Sequence, residues 1–251
     1  MRIVSPFEPF HTLPYFCSGH QGEPRSVTLT FSRARAEGLP PEVDAIVTTA
    51  DLQGRSEPGG RLIGELVAEE LGALAGLGKI PEPGIILLAG DFFDDPACAK
   101  RGRSGEVGTV WRAFADRFPT VAGVHGNHDV LTAVPPGATV LDGRQESIAG
   151  IRLAGICGIM GRQTRPQRRS PESYLQLYKH LLDGGPEILL SHCGPDEPSC
   201  GHIGDPAIRE ILQRKGETLA IFGHCHWPDP LAEIGANQAL NVDGRVVVLV
   251  R

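Results

Sequence analysis

The sequence predicts an α/β fold with mostly buried sheets, closed by antiparallel strands at the carboxyl end. Three observations carry this. Unalternating apolar runs such as "VDAIVTTA" (43–50) and "GIILLAGD" (84–91) have the pattern of strands buried on both faces. Segments with helical apolar spacing stand between such runs. After the last of these helices only strand-like text remains, so alternation gives way to strands alone.

Each element follows in order. Residues 1 to about 42 resist assignment, although "SVTLTF" (26–31) alternates like a strand amid Pro-rich text. The strand 43–50 ends at Asp51. "GRLIGELVAEELGALAGL" (60–77) has helical spacing and follows Pro58. The strand 84–91 ends at Asp91, "GEVGTVWRAFADRF" (105–118) is a helix, and "TVAGVHG" (120–126) is a third strand. "SIAGIRLAGICGI" (147–159) is a hairpin-like pair or one long strand. "PESYLQLYKHLLDG" (171–184) is a helix, with Ser170 as N-cap and Pro171 at its first position. Next come a strand "PEILLSH" (186–192), a helix "DPAIREILQRKG" (205–216) and a strand "TLAIFGHCH" (218–226). "LAEIG", "QALNV" and "RVVVLV" close the chain as an antiparallel meander. The 21 prolines and 32 glycines punctuate these short elements.

The chain has 251 residues, enough for a two-layer core and for one domain over 1–251, with 1–42 an extension or extra strands. A formal charge of −6 argues against bulk attraction to nucleic acid or membrane. The six cysteines form no CxxC pair, which suggests reduced thiols. No stretch has the length and apolarity of a membrane span, and "MRIVSPFEPFHTLPYF" lacks the apolar core of a secretory signal. The expectation is a cytoplasmic protein.

Five polar clusters terminate strands: "ADLQG" (50–54), "GDFFD" (90–94), "GNHD" (126–129), "SH" (191–192) and "GHCH" (223–226). Singly each is weak, because an Asp after a strand is usually a turn residue or helix cap. Jointly they are not, because the crevice outside the carboxyl ends of strands is where open α/β proteins build sites.

This order of motifs resembles the calcineurin-like metallophosphoesterase superfamily over about residues 43–251. The resemblance implies a four-layer α/β/β/α sandwich, two mixed sheets flanked by helices, with a dinuclear metal site at one edge. It implies Asp91 as the bridging carboxylate. Asp51, Gln53 and His226 would complete one metal's shell, and Asn127, His192 and His224 the other's. Mixed oxygen and imidazole donors suit first-row divalent ions better than Ca. In an extended segment His224 and His226 share a face. Two ions about 3.5–4 Å apart could share a phosphate and a bridging hydroxide that attacks it. His128 would be the catalytic acid beside the scissile phosphate. Asp129 would orient its ring.

One position departs from the family pattern, which usually places His two residues after the first Asp. Gln53 stands there. Its amide oxygen is neutral and harder than imidazole, so two divalent ions with Mn or Fe favoured, Zn or Mg possible, are expected. A solvent-facing turn residue is the bland alternative.

Other groups carry less. Asp94 reads as a turn cap and His125 as a packed neutral histidine. Cys193 and Cys225 read as small packing residues, His202 as a loop residue, and Asn241 as either a turn residue or one near the metal edge. The basic stretches "KRGRSG" (100–105) and "GRQTRPQRRS" (161–170) should project near the metal edge. Arg162, closest to its strand end, is the expected phosphate grip. Arg165, Arg168 and Arg169 read as solvated charges.

The expectation is therefore a metal-dependent phosphoesterase acting on a phosphodiester or phosphomonoester, with a small nucleotide-like substrate. The rivals are a non-catalytic interaction scaffold of the same fold, a phosphoprotein phosphatase, and a nuclease. Retention of His128 counts against the scaffold. The acidic balance counts against the nuclease.

Overall fold

The structure, a computed structural model, describes residues 1–19, 21–214 and 216–251. The chain begins with β1 (Arg2–Ile3), β2 (Glu8–Ser18), β3 (Pro24–Glu37), β4 (Ala45–Ala50), α1 (Ile63–Gly76), β5 (Pro83–Leu88), β6 (Gly105–Glu106), α2 (Gly108–Ala115), β7 (Val121–Gly123), β8 (Asp129–Val130) and β9 (Ala138–Val140). It continues with β10 (Arg144–Ile148), β11 (Ile151–Ile156), β12 (Ile159–Met160), β13 (Arg168–Arg169), α3 (Pro171–Asp183), β14 (Ile188–Ser191), α4 (Pro206–Arg214), β15 (Leu219–Phe222), β16 (Leu231–Ile234), β17 (Asn237–Asn241) and β18 (Arg245–Val250). Lys215, at the end of the helix expected over 205–216, lies outside the described residues.

Two mixed sheets face each other. The larger runs β1-β3-β18-β4-β5-β7-β9, with β2 also paired to β3, and the smaller runs β10-β11-β14-β15-β17-β16. Strands β4, β5, β7 and β9 are mutually parallel, as are β11, β14, β15 and β17. The period-2 geometry of a strand sends alternate side chains to opposite faces. Ile46, Ile85, Leu87, Leu190, Ile221 and Leu249 therefore meet between the sheets. Ala45, Val47, Ile86 and Leu88 turn outward onto α1 and α2, through Val67, Leu71, Val110 and Trp111. Leu189, Ala220 and Phe222 turn outward onto α3 and α4, through Tyr174, Tyr178, Ile208 and Leu212. Both faces of each central strand are buried, which is why the runs lack alternation. The four-layer α/β/β/α expectation holds.

The helices carry the local signals that start them. Ser170 Oγ accepts the Ser173 amide hydrogen at 3.2 Å, with Pro171 in the first turn. On α1, Ile63, Val67, Leu71 and Leu74 recur at helical spacing and are buried. Truncating Leu71 to Ala would cost about 2–5 kcal/mol.

The stretch 147–159 resolves as the hairpin of β10 and β11, turning at Ala149 (φ 47°) and Gly150 (φ 79°), a backbone pair suited to tight hairpins. The expected closing meander is corrected. β16 and β17 do pair antiparallel in the smaller sheet, but β18 crosses to the larger sheet, antiparallel to β4 and parallel to β3. Val246–Leu249 is buried on both faces, so β18 needs an interior slot rather than a place beside a sheet edge. β2 and β3, from the stretch unassigned from sequence, pair antiparallel over a long register, and β3 joins them to that sheet. Pro9 and Pro14 fit there because β2 is an edge strand, with a register shift between Pro9 and His11.

No helix among the described residues is long and apolar enough to cross a membrane. All six cysteines are free thiols.

Candidate metal centre

The carboxyl ends of β4, β5 and β7 in one sheet converge with those of β14 and β15 in the other. Each strand end must turn at once and leave a functional side chain facing inward. Asp51, Asp91 and His224 do so with left-handed backbones, φ 54°, 59° and 68°, a conformation non-glycine residues rarely adopt. Such strain clusters at functional sites. Glycines make room alongside. Any Cβ on Gly126 would overlap Asp91 Oδ1, and any on Gly223 would overlap Asp51 Oδ2. Gly126 is thus required for close approach, and it is not among the positive-φ positions.

Asp91 is 2% exposed and sits at the centre. Its Oδ1 accepts the His128 amide hydrogen at 2.8 Å, and its Oδ2 lies 3.1 Å from His192 Nε2. Asp91, His192 and His224 each offer a ligand atom within 4.8 Å of the others. The rings of His192 and His224 lie 5.1 Å apart, edge to face. His192 Nδ1 is 2.9 Å from Ala89 O, so that nitrogen carries a hydrogen and Nε2 is the one turned toward Asp91. A buried carboxylate oxygen and a buried ring nitrogen at this separation call for a proton or a cation between them. Asn127 Oδ1 is likewise buried without a partner. These residues fit a divalent cation.

The electrostatics agree. Burial opposes a charge on Asp91, but His192 and His128 outweigh it and hold the carboxyl below its usual range. Burial also opposes a charge on His192, but Asp91 and Asp51 outweigh it and hold the imidazole above its usual range. Burial pushes Asp51 well up, and Asp243 and Asp91 add to it. Burial and the neighbouring His192 bring His224 down to about 4, leaving a neutral imidazole with a lone pair to give. Crowded carboxylates such as Asp51 and Asp91 are an environment that a bound cation relieves.

The other expected residues are placed differently. Asp51 Oδ2 accepts the His224 amide hydrogen at 2.8 Å, tying the two strand ends together. The Gln53 amide group faces Asp91 Oδ2 at 3.4 Å through nitrogen, so ligation needs that amide turned over, which the assignment of its O and N allows. His226 stands apart from the cluster of three. Its Nδ1 is 3.2 Å from Asp243 O and 3.4 Å from Asp243 Oδ1, and Arg245 Nη2 lies 3.2 Å from its Nε2. Asp51, Gln53, His224, His226 and Asp243 nonetheless line one cleft of about 390 Å³.

One expected role is corrected. Asp129 does not hold the His128 ring. Its buried carboxylate accepts the amide hydrogens of Asp91 (2.7 Å), Phe92 (2.7 Å) and Gly126 (3.0 Å), so it braces the two turns that carry Asp91 and Asn127. Burial, reinforced by Asp91, lifts it to about 6. His128 Nδ1 is left buried without a partner. Arg162 is exposed and lines a separate surface pocket with Thr164, Arg165 and Arg168. Arg168 is the one whose charge reaches His224. The stretch 100–105 supplies a second cation, with Arg101 and Gly102 lining the cleft.

The remaining candidates are structural. Asp94 accepts hydrogen bonds from Ser18 N (3.1 Å) and Oγ (2.8 Å). His202 stacks on Trp227 with centroids 4.2 Å apart. Asn241 clasps the histidine loop, donating to Cys225 O (2.8 Å) and accepting from Trp227 N (3.2 Å). His125 is packed, with burial lowering its pKa, and Cys193 belongs to the third core. Sequence reasoning missed Asp243 and Tyr15, both of which line the cleft. Asp243 sits in a "VDGR" turn without distinguishing signal, and Tyr15 comes from the unassigned amino-terminal stretch.

Comparison with known proteins agrees with this geometry. No curated protein matches the chain. Among solved structures, it resembles TT1561 of Thermus thermophilus, with a TM-score of 0.58 and 18% identity over 80% of this chain and 90% of that one. A hypothetical protein from the same organism is similar at a TM-score of 0.47 and 14% identity, covering 78% of this chain and 75% of that one. At such identities the likeness to TT1561 speaks for the fold alone. The family model described as calcineurin-like phosphoesterase matches residues 45–228, the span that holds Asp51, Asp91, Asn127, His192, His224 and His226, and the chain belongs to that family.

Proposed function

We propose that this protein hydrolyses a small, nucleotide-like phosphodiester or phosphomonoester with two divalent cations, Mn or Fe favoured. The observation that carries this is the buried contact of Asp91 Oδ2 with His192 Nε2 at 3.1 Å, with a ligand atom of His224 within 4.8 Å of both. Asn127, His192 and His224 would hold one cation, and Asp51, Gln53 and His226 the other, with Asp91 shared. Bound there, divalent cations supply Lewis acidity toward the phosphoryl oxygens and an activated water.

The chain's own groups do the rest. His128 is locked beside Asp91 by its backbone hydrogen bond, and its ring would deliver a proton to the departing oxygen. Arg101 and Arg168 place positive charge near the cleft and near His224, where the phosphate's charge must be matched. A cleft of about 390 Å³ suits a small molecule better than a folded phosphoprotein.

Elemental analysis of protein purified without chelator, followed by assay on chromogenic phosphate esters, tests this. Two equivalents of metal and chelator-sensitive turnover are expected. Turnover that survives complete metal removal would end the proposal. His128→Ala should retain its metal and lose about 10²–10⁴-fold in kcat.

A further inference from the structure

The β2–β3 hairpin lies wholly outside the span matched by the family model. It is fastened to the metal edge at several points. Phe16 and Arg55 exchange backbone hydrogen bonds of 2.8 and 2.7 Å. Ser18 donates twice to buried Asp94. Arg55 in turn donates to Asp94 O (2.8 Å), Asp95 O (3.1 Å) and Gly60 O (2.7 Å), so the hairpin and the loop after β5 move as one unit. This anchoring brings Tyr15, Cys17 and Ser18 into the lining of the cleft that holds Asp51, Gln53 and His224.

Tyr15 is the unusual member. Its ring edge is seated on Gly54, where any Cβ would overlap Cδ2 and Cε2, so the loop carrying Gln53 is shaped to receive it. The Tyr15 hydroxyl makes no hydrogen bond among the described residues, and it is not a sealed buried atom. An amphipathic ring with an unused donor, anchored rigidly in a cleft beside a metal centre, has the properties of a recognition surface for a flat polar group.

We infer that Tyr15, held in place by its packing on Gly54, is a specificity-determining residue on the cleft wall for the planar aromatic part of a small phosphoester, an aryl group or a nucleobase. The inference rests on the phosphoesterase reading above and names its substrate class. The part of the ring that lines the cleft offers apolar aromatic surface, and the hydroxyl a donor to the polar edge of that group. Alkyl leaving groups find neither benefit.

The test uses the full chain loaded with Mn. Turnover of 4-nitrophenyl phosphate is compared with that of ethyl phosphate, each also as its methyl diester. Binding of 4-nitrophenylphosphonate against methylphosphonate is measured by calorimetry. Tyr15→Ala should raise KM for the aryl esters about five- to tenfold with kcat within twofold, and leave the alkyl esters unchanged. Tyr15→Trp should restore the aryl preference. Equal effects on aryl and alkyl esters, or no effect, overturn the inference. If Tyr15→Ala does not fold, Tyr15→Leu, verified by thermal melt, replaces it. Should the wild type hydrolyse none of the esters yet bind the aryl phosphonate preferentially, with that preference lost in the variant, the subsite stands and the hydrolase reading falls. Hydrolysis without aryl preference overturns the subsite and leaves the hydrolase reading standing.

Discussion

The two halves of the proposed metal centre differ sharply. On one side His192 is fully buried, its Nδ1 hydrogen is committed to Ala89 O, and its Nε2 already faces Asp91. On the other, the His226 side chain is 61% exposed and its ring nitrogens are occupied by Asp243 and Arg245. In the first half His192 and Asp91 are held in the buried interior, with His224 exposed beside them. The second is assembled at the rim, where a histidine can satisfy itself with neighbours. A ligand fixed by packing loses little freedom on binding a cation, whereas a rim ligand must give up existing contacts first. The two positions should therefore bind with unequal affinity.

The largest effect that would test this contrast comes from the shared carboxylate. Asp91→Asn should lower kcat by on the order of 10³-fold or more and empty both positions, read by single-turnover kinetics and elemental analysis. Loss of only one equivalent would show that Asp91 is not shared. Next, His192→Ala should weaken the tighter cation by at least about 100-fold, while His226→Ala should weaken only the looser one, by roughly tenfold. Titration with Mn reads both, and equal losses would erase the distinction between the halves. Asp129→Asn removes a charged acceptor from three backbone amides and should cost about 1.5–3 kcal/mol of stability, seen in thermal denaturation. A melt unchanged from wild type would remove its bracing role. The smallest effect is expected from Arg245→Met. Freeing His226 of the guanidinium should tighten the looser cation by about two- to tenfold. Weaker binding instead would mean that Arg245 holds His226 in place rather than competing for it.

Legibility from the sequence followed the same contrast. The strand ends bearing Asp51, Asp91, Asn127, His192 and His224 stood out because a buried strand that stops on a polar cluster is conspicuous in one dimension. The roles within each cluster did not. Asp129 adjoins His128 in sequence, and adjacency suggested a pair, yet the turn geometry sends its carboxylate back onto three amides. Arg162 is nearest its strand end by counting, but it is exposed and lines a pocket other than the cleft. Tyr15 came from Pro-rich text without periodicity, and only its partners Gly54 and Asp94, distant in sequence, give its hairpin a place.

What the amino-acid sequence determined alone was the layering and the strand ends at which polar clusters gather. Apolar periodicity and strand-terminal polar clusters are local properties, and local properties survive in a one-dimensional string. The tertiary structure decided which sheet β18 enters, which carboxylate braces a turn and which could bind a cation, and how the amino-terminal hairpin walls the cleft. Those outcomes depend on contacts between residues far apart in the chain, such as Asp51 with His224. Side-chain direction at such a contact is set by the packing of both partners at once, so neither segment alone contains it.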